Sequence, residues 1–399
     1  MSVSNQSLDV GIANGLRARK SFSTYLDLLR FTAALLVVLE HSVILGILPR
    51  LGVLTALSHE SVMVFFVLSG LVIAASSLSP DATASDYVAA RAARIYCVVL
   101  PALVCCYGVA VLTGTTSSHV SVARIASSLF FLDGVWLNYV EVPFNGAYWS
   151  LCYEVWYYAL WGALLFVRRP VLRLGVAAVL LVAMGPALAT LAGIWLMGAL
   201  IAVQGDRIMS ALRRVPRWGT GSLFALSILG VLVLASTHLQ EDVRQVIATK
   251  IPGWWRLRNS ELVVTDYALA MLVALHLVSA LYLFGHGRRF HDSSVGRAVR
   301  YCAGFTFTLY LFHYPLLLLL KAASGPAHAT PAIGLASIAI VLAAVWAIAF
   351  GTERQLPRWR RMAQAVVALA SHHATVFGSG PARGSLARPE VAPKADLLA

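Results

Sequence analysis

Eleven residues separate Arg30 from His41 in a stretch that is otherwise almost wholly apolar, Tyr25-Leu26-Asp27-Leu28-Leu29-Arg30 through Leu39-Glu40-His41. In a helix, eleven residues are close to three turns, so both side chains project from one side, about 16 Å apart along the axis. A guanidinium suits phosphate oxygens, and a neutral imidazole near pH 7 can take a proton from a hydroxyl. The pair therefore fits one elongated molecule, with its anionic end at Arg30 and its reactive end at His41. Asp27 is three residues before Arg30 and can pair with it on the same face. Taken alone, Glu40 and His41 can also be read as closing the helix end in water.

Five further groups carry chemistry. Arg91 and Arg94 are three apart on one helical face and can hold phosphate between them, or can serve as an ordinary basic anchor. Ser69-Gly70 permits close helix approach. Trp149, Ser150, Tyr153 and Glu154 fall at helical spacing with Tyr157. A carboxylate beside aromatic rings suits a sugar, the rings stacking on the pyranose and the acid binding its hydroxyls. Glu154 calls for a partner, because desolvation disfavours a buried carboxylate. Tyr310 and His313 share a face inside an apolar run, where a packing hydrogen bond is the simpler account. Glu353 follows the last run and can pair with an arginine.

The elements that must position these groups are membrane helices. Of 399 residues, 59% are hydrophobic and 12% charged, with a mean hydropathy of +0.76. Soluble chains carry roughly 25% charged residues, so the composition excludes a water-soluble body of this size. Apolar runs near the ~20 residues needed to cross the hydrocarbon layer fall at about 25–46, 60–78, 96–113, 147–167, 171–185, 187–204, 219–236, 262–284, 302–320 and 332–351. This predicts an all-α integral membrane bundle of about ten transmembrane helices. A weaker segment at 122–137 is short and polar, and Gly185-Pro186 marks a turn between two runs.

Placing both termini in the cytoplasm puts 23 of the 31 Lys and Arg on that side, with 7 on the other and Arg30 within the first span. Such a bias follows the positive-inside rule and explains the net charge of +13 without nucleic acid as a partner. The five cysteines, Cys97, Cys105, Cys106, Cys152 and Cys302, have no metal-ligand spacing and read as packing residues; no metal is expected. Residues 1–20 read as a cytoplasmic tail without a cleaved signal, 21–358 as the membrane domain and 359–399 as a largely disordered cytoplasmic tail. Residues 238–261 form the longest outer loop, with Trp254-Trp255 at the level of the lipid headgroups.

Taken in order, these segments resemble the membrane-bound acyltransferase family 3, which includes O-acetyltransferases of bacterial polysaccharides. The matching residues are Asp27 to Arg30 followed by His41; Phe65-Phe66-Val67-Leu68-Ser69-Gly70; Arg91 and Arg94; Trp149-Ser150-Leu151 with Glu154; Tyr310 with His313; and Glu353. They run from about 21 to 358. Two local departures are Cys97 where a proline usually follows the second arginine, and Glu353-Arg354-Gln355-Leu356-Pro357 in place of Glu-Arg-Pro.

The resemblance implies a bacterial inner-membrane enzyme using acetyl-CoA on the cytoplasmic side, with a cell-surface glycan or lipid-linked oligosaccharide as acceptor. It implies that Arg30, Arg91 and Arg94 hold the CoA phosphates and that His41 is the essential histidine, acting as base or through an acyl-imidazole. Glu154 is the companion catalytic residue expected, with Glu40 and His313 as other groups able to orient the histidine or the sugar. Asp27, Ser69, Trp149, Ser150, Tyr153, Tyr310 and Glu353 complete the expected support. Two other readings are a flippase for a lipid-linked sugar, with buried charges lining its path, and an O-acyltransferase acting on a small molecule such as a macrolide.

Overall fold

A computed structural model describes residues 19–112, 121–285, 288–324 and 330–378. The expected tails at 1–18 and 379–399 lie outside these. Among the described residues every regular element is helical, as an apolar solvent requires, since a helix satisfies its backbone polar groups within one segment.

The helices are α1 (Lys20–Ile44), α2 (Ser58–Ser77), α3 (Ala84–Leu112), the short α4 (Val122–Leu129), α5 (Tyr148–Phe166), α6 (Pro170–Val203), α7 (Gly205–Leu212), α8 (Arg217–Ser236), α9 (Leu239–Lys250), α10 (Val263–Phe284), α11 (Arg289–Asp292), α12 (Ser294–Ala303), α13 (Thr306–Ser324), α14 (Pro331–Ala349) and α15 (Leu356–Gly378). Their starts follow local chemistry. Thr330 caps α14 by accepting from the Ile333 N–H, and Pro331 fills its first turn, where a missing N–H costs nothing. Ser293 caps α12 in the same way through Gly296.

Among the described residues, eight helical stretches are long and apolar enough to cross a membrane. The difference from ten has two sources. α5 is rich in tyrosine and tryptophan and does not meet that apolar measure, although its 19 residues suffice in length. α6, with 34 residues, would be about 51 Å long, far beyond the ~30 Å hydrocarbon core. It breaks at Gly185, at φ 76° and ψ 177°, between the two runs that the sequence separates. Only glycine fits there, because a Cβ would sit 2.7 Å from the Trp136 backbone nitrogen.

The segment at 122–137 does not span. α4 has eight residues, about 12 Å, and then gives way to a connector reaching α5. That connector holds Phe131, Trp136, Leu137 and Phe144 at positive φ, each a strained choice for a side-chain-bearing residue. Aromatic donors tie this region down. Trp156 Nε1 donates to the Phe131 carbonyl at 3.1 Å, Tyr148 Oη to Ser128 at 2.8 Å and Tyr96 Oη to Leu129 at 3.0 Å.

Two more expectations change. The segment 238–261, read above as a loop, contains α9, braced by Arg244 between Glu241 and Glu261, and a 3-10 turn at Trp254–Ser260 with Trp255 exposed. Helix α15 runs from Leu356 to Gly378, so regular structure continues well into the stretch that reads as a disordered tail; α15 packs along α3. At the core, α2 packs along α6 with backbones almost touching. A Cβ at Gly70 would run into the Trp195 carbonyl oxygen, and one at Gly198 into that of Val67.

Candidate functional site

Helices α1, α2, α3, α5 and α13 surround a cavity of about 320 Å³. One end carries Arg30 from α1 and Arg91 and Arg94 from α3, against a single lining carboxylate, Glu154. Two of these guanidiniums have carboxylate partners standing outside the lining. Arg30 keeps its expected partner Asp27 at 3.6 Å. Arg94 pairs with Glu353 at 3.1 Å. The other oxygen of Glu353 accepts from the backbone N–H groups of Phe307 and Thr308 at 3.1 and 3.2 Å, satisfying orphan donors at the start of α13. Glu353 is thus a structural carboxylate that fixes α13 and one arginine together. Arg91 Nε and Thr306 Oγ1 are buried at the cavity without a hydrogen-bond partner among the described residues.

Midway along, Glu154 accepts from the hydroxyls of Ser69 and Tyr158, and Trp195 Nε1 donates to Ser69 at 3.1 Å. Beyond them, the Ser150 and Tyr310 hydroxyls stand 2.5 Å apart and, with Phe65, close the cavity. Behind that wall, three residues along α13, His313 is fully buried, its ring centroid 6.2 Å from that of Tyr310. His313 Nε2 lies 2.8 Å from Nδ1 of His41, and Tyr314 packs edge-on against the His41 ring at 5.1 Å.

Proline shapes this end of α13. Pro315 has no N–H, so the Leu311 carbonyl lacks its helical donor. Asn145, the last residue of the strained connector but two before α5, supplies one instead, with Nδ2 3.0 Å from Leu311 O.

The arginines, Ser69, Ser150, Glu154 and Tyr310 thus meet in one cavity, and His41 and His313 meet each other just beyond it. Three expectations are revised. The rings of α5 offer no platform for a sugar: Tyr153 and Tyr157 are fully buried, stacked on or edge-on to Phe66, and Trp149 packs against Phe66 and Tyr153. Glu40 turns away from its neighbour His41 and accepts from the Ser58 N–H at 2.6 Å, capping α2. Glu154 contacts Ser69 and Tyr158, while the side chain bonded to His41 is His313.

Sequence reading missed Thr306, Tyr158 and Asn145 as parts of this region. The missing N–H of Pro315 was the available signal for Asn145, since a freed carbonyl inside lipid demands a donor. Nothing local distinguishes Thr306 from other helical threonines.

A family model described as an acyltransferase domain matches residues 23–351. No curated protein and no solved structure matches the chain.

Proposed function

The chain belongs to acyltransferase family 3 and is a multi-pass membrane acyltransferase, and on that premise we propose that it moves an acetyl group from acetyl-CoA to a hydroxyl of a cell-surface polysaccharide or lipid-linked sugar. The arginine end of the cavity faces the cytoplasm of a bacterial inner membrane, with both termini on that side. The supporting observation is the order of groups along one axis: three guanidiniums at one end of the cavity, and a histidine pair just past its other end.

In this reading Arg30, Arg91 and Arg94 take the phosphates of CoA, with the unpartnered Arg91 Nε and Thr306 Oγ1 as further contacts. The pantetheine arm runs past Phe65 toward the Ser150–Tyr310 closure. At His41, the acceptor hydroxyl attacks the thioester carbonyl while the imidazole takes its proton. A C–O bond forms, the C–S bond breaks, and the proton passes from the imidazolium to the sulfur, releasing CoA as the thiol. Glu154 remains ready to meet a polar group of the bound molecule through its second oxygen.

The test is a mass comparison of envelope glycans from cells with the protein, without it, and with His41→Ala. One acetyl increment per modified residue, lost in the last two, is the expected result. Normal acetylation with His41→Ala overturns the role of that residue. Unchanged glycans in all three, with acetylation instead of an added macrolide, would move the acceptor to small molecules.

A further inference from the structure

His313 has defined company at both ring nitrogens. Its Nδ1 lies 3.1 Å from the carbonyl oxygen of Leu309, which can only accept, so Nδ1 carries a proton. In a neutral imidazole the other nitrogen then bears a lone pair. That nitrogen, Nε2, is 2.8 Å from Nδ1 of His41, and the contact is a hydrogen bond only if His41 Nδ1 holds the proton. The two ring planes are 8° from parallel with centroids 5.1 Å apart. Rings lying face on face are held about 3.5 Å apart by van der Waals contact, too far for nitrogens at 2.8 Å. The rings therefore lie edge to edge in nearly one plane, as an N–H···N bond requires.

We propose that His313 is a positioning residue that sets the tautomer of His41, through the chain His41 Nδ1–H to His313 Nε2 and His313 Nδ1–H to Leu309 O, leaving Nε2 of His41 as the lone pair that meets the acceptor hydroxyl. The inference rests on the reading of His41 as the base. It assigns to a neutral ring the task that a carboxylate performs in a Ser-His-Asp triad. Neither nearby carboxylate is bonded to His41: Glu40 accepts from the Ser58 N–H, and Glu154 from Ser69 and Tyr158. When Nε2 takes the hydroxyl proton, the Nδ1 proton stays in its bond to His313. No proton leaves the pair until Nε2 returns one to the departing sulfur.

The geometry also explains why the arrangement holds. His313 is fully buried, Tyr314 clamps the His41 ring at 90°, and Asn145 braces the carbonyl that Pro315 frees two residues before His313. Neither ring can turn without breaking a hydrogen bond.

The experiment measures CoA release by the full-length protein in lipid nanodiscs, with acetyl-CoA as donor and envelope glycan from cells lacking the protein as acceptor. His41→Ala is the reference. A wild-type rate in that variant sinks the base reading and this inference together. If His41→Ala is inactive, His313→Leu is expected to lower kcat by about 10²–10⁴-fold, the range for acid–base catalysis, with the KM for acetyl-CoA changed less than about twofold. His313→Gln, whose amide oxygen is a neutral acceptor near the position of Nε2, is expected to recover about tenfold over leucine. Wild-type kcat in His313→Leu, or no recovery in a folded His313→Gln, overturns the inference while leaving His41 as base. Nitrogen NMR of the wild-type protein with labelled histidine needs no variant at 313. Signals absent from His41→Ala should report a proton on Nδ1, and a resting Nε2–H form refutes the proposal.

Discussion

Glu353 and Arg91 show how two polar residues at one cavity play opposite parts. Glu353 spends both oxygens on the protein, one on Arg94 and one on the first N–H groups of α13. Arg91 keeps a buried Nε without a partner. Glu353→Ala should therefore destabilise the fold by about 1–3 kcal/mol, the cost of leaving the buried N–H donors of α13 without an acceptor, and be seen first as a lower thermal midpoint. Arg91→Ala should leave that midpoint nearly unchanged and raise the KM for acetyl-CoA about 10–100-fold, as expected for a lost hydrogen bond to a charged group. Equal effects of both variants on stability would show that Arg91 is structural too. The chemistry at His41 follows the same logic of partners: its acidic neighbour Glu40 is consumed by α2, and a histidine 272 residues away takes its place.

At the level of the element, the end of α13 depends on a defect. Pro315 removes one helical hydrogen bond and Asn145 repairs it from another segment. Pro315→Ala restores the missing N–H, which competes with Asn145 for the Leu311 carbonyl. The expected outcome is an unchanged or higher thermal midpoint, since interior proline costs a helix about 3 kcal/mol, together with a fall in acetyl transfer as the connector loses its anchor. The connector has a second, measurable property. Burial, aided by Glu141, pushes the Asp133 carboxyl up to about 6 despite hydrogen bonds from the Val140 and Gly134 N–H groups. Because the folded-state pKa is raised, its contribution to stability is full below the ordinary carboxyl range and is lost as pH rises through about 6. Thermal midpoints should decline across that window in the wild type and vary less in Asp133→Asn; identical slopes would place the titration elsewhere.

Across the whole molecule, the helices form one bundle with its polar chemistry strung along an interior axis, from the arginines through Glu154 to the histidine pair. Charge bias predicts that the arginine end faces the cytoplasm. Cysteines introduced singly at Ser85, in the first turn of α3, and at Gln245, in α9, of a variant with its five native cysteines replaced test this with a membrane-impermeant maleimide. Ser85→Cys should label only after the membrane is opened, and Gln245→Cys in intact spheroplasts. The reverse pattern would invert the donor and acceptor sides.

Membrane class, span positions and the broken run at Gly185 were legible in the chain itself, because crossing a bilayer is decided by local hydropathy and by the need to pair backbone groups within a segment. So was the short list of polar residues worth explaining, since lipid makes each one costly. Apart from the local Asp27–Arg30 pair, their partners were not legible. Whether Tyr153 faces a ligand or Phe66, whether Glu154 meets His41 or Ser69, and which carboxylate caps α13 depend on how helices far apart in sequence rotate and approach one another. Helical spacing places residues on a face of their own helix; only packing determines what that face meets.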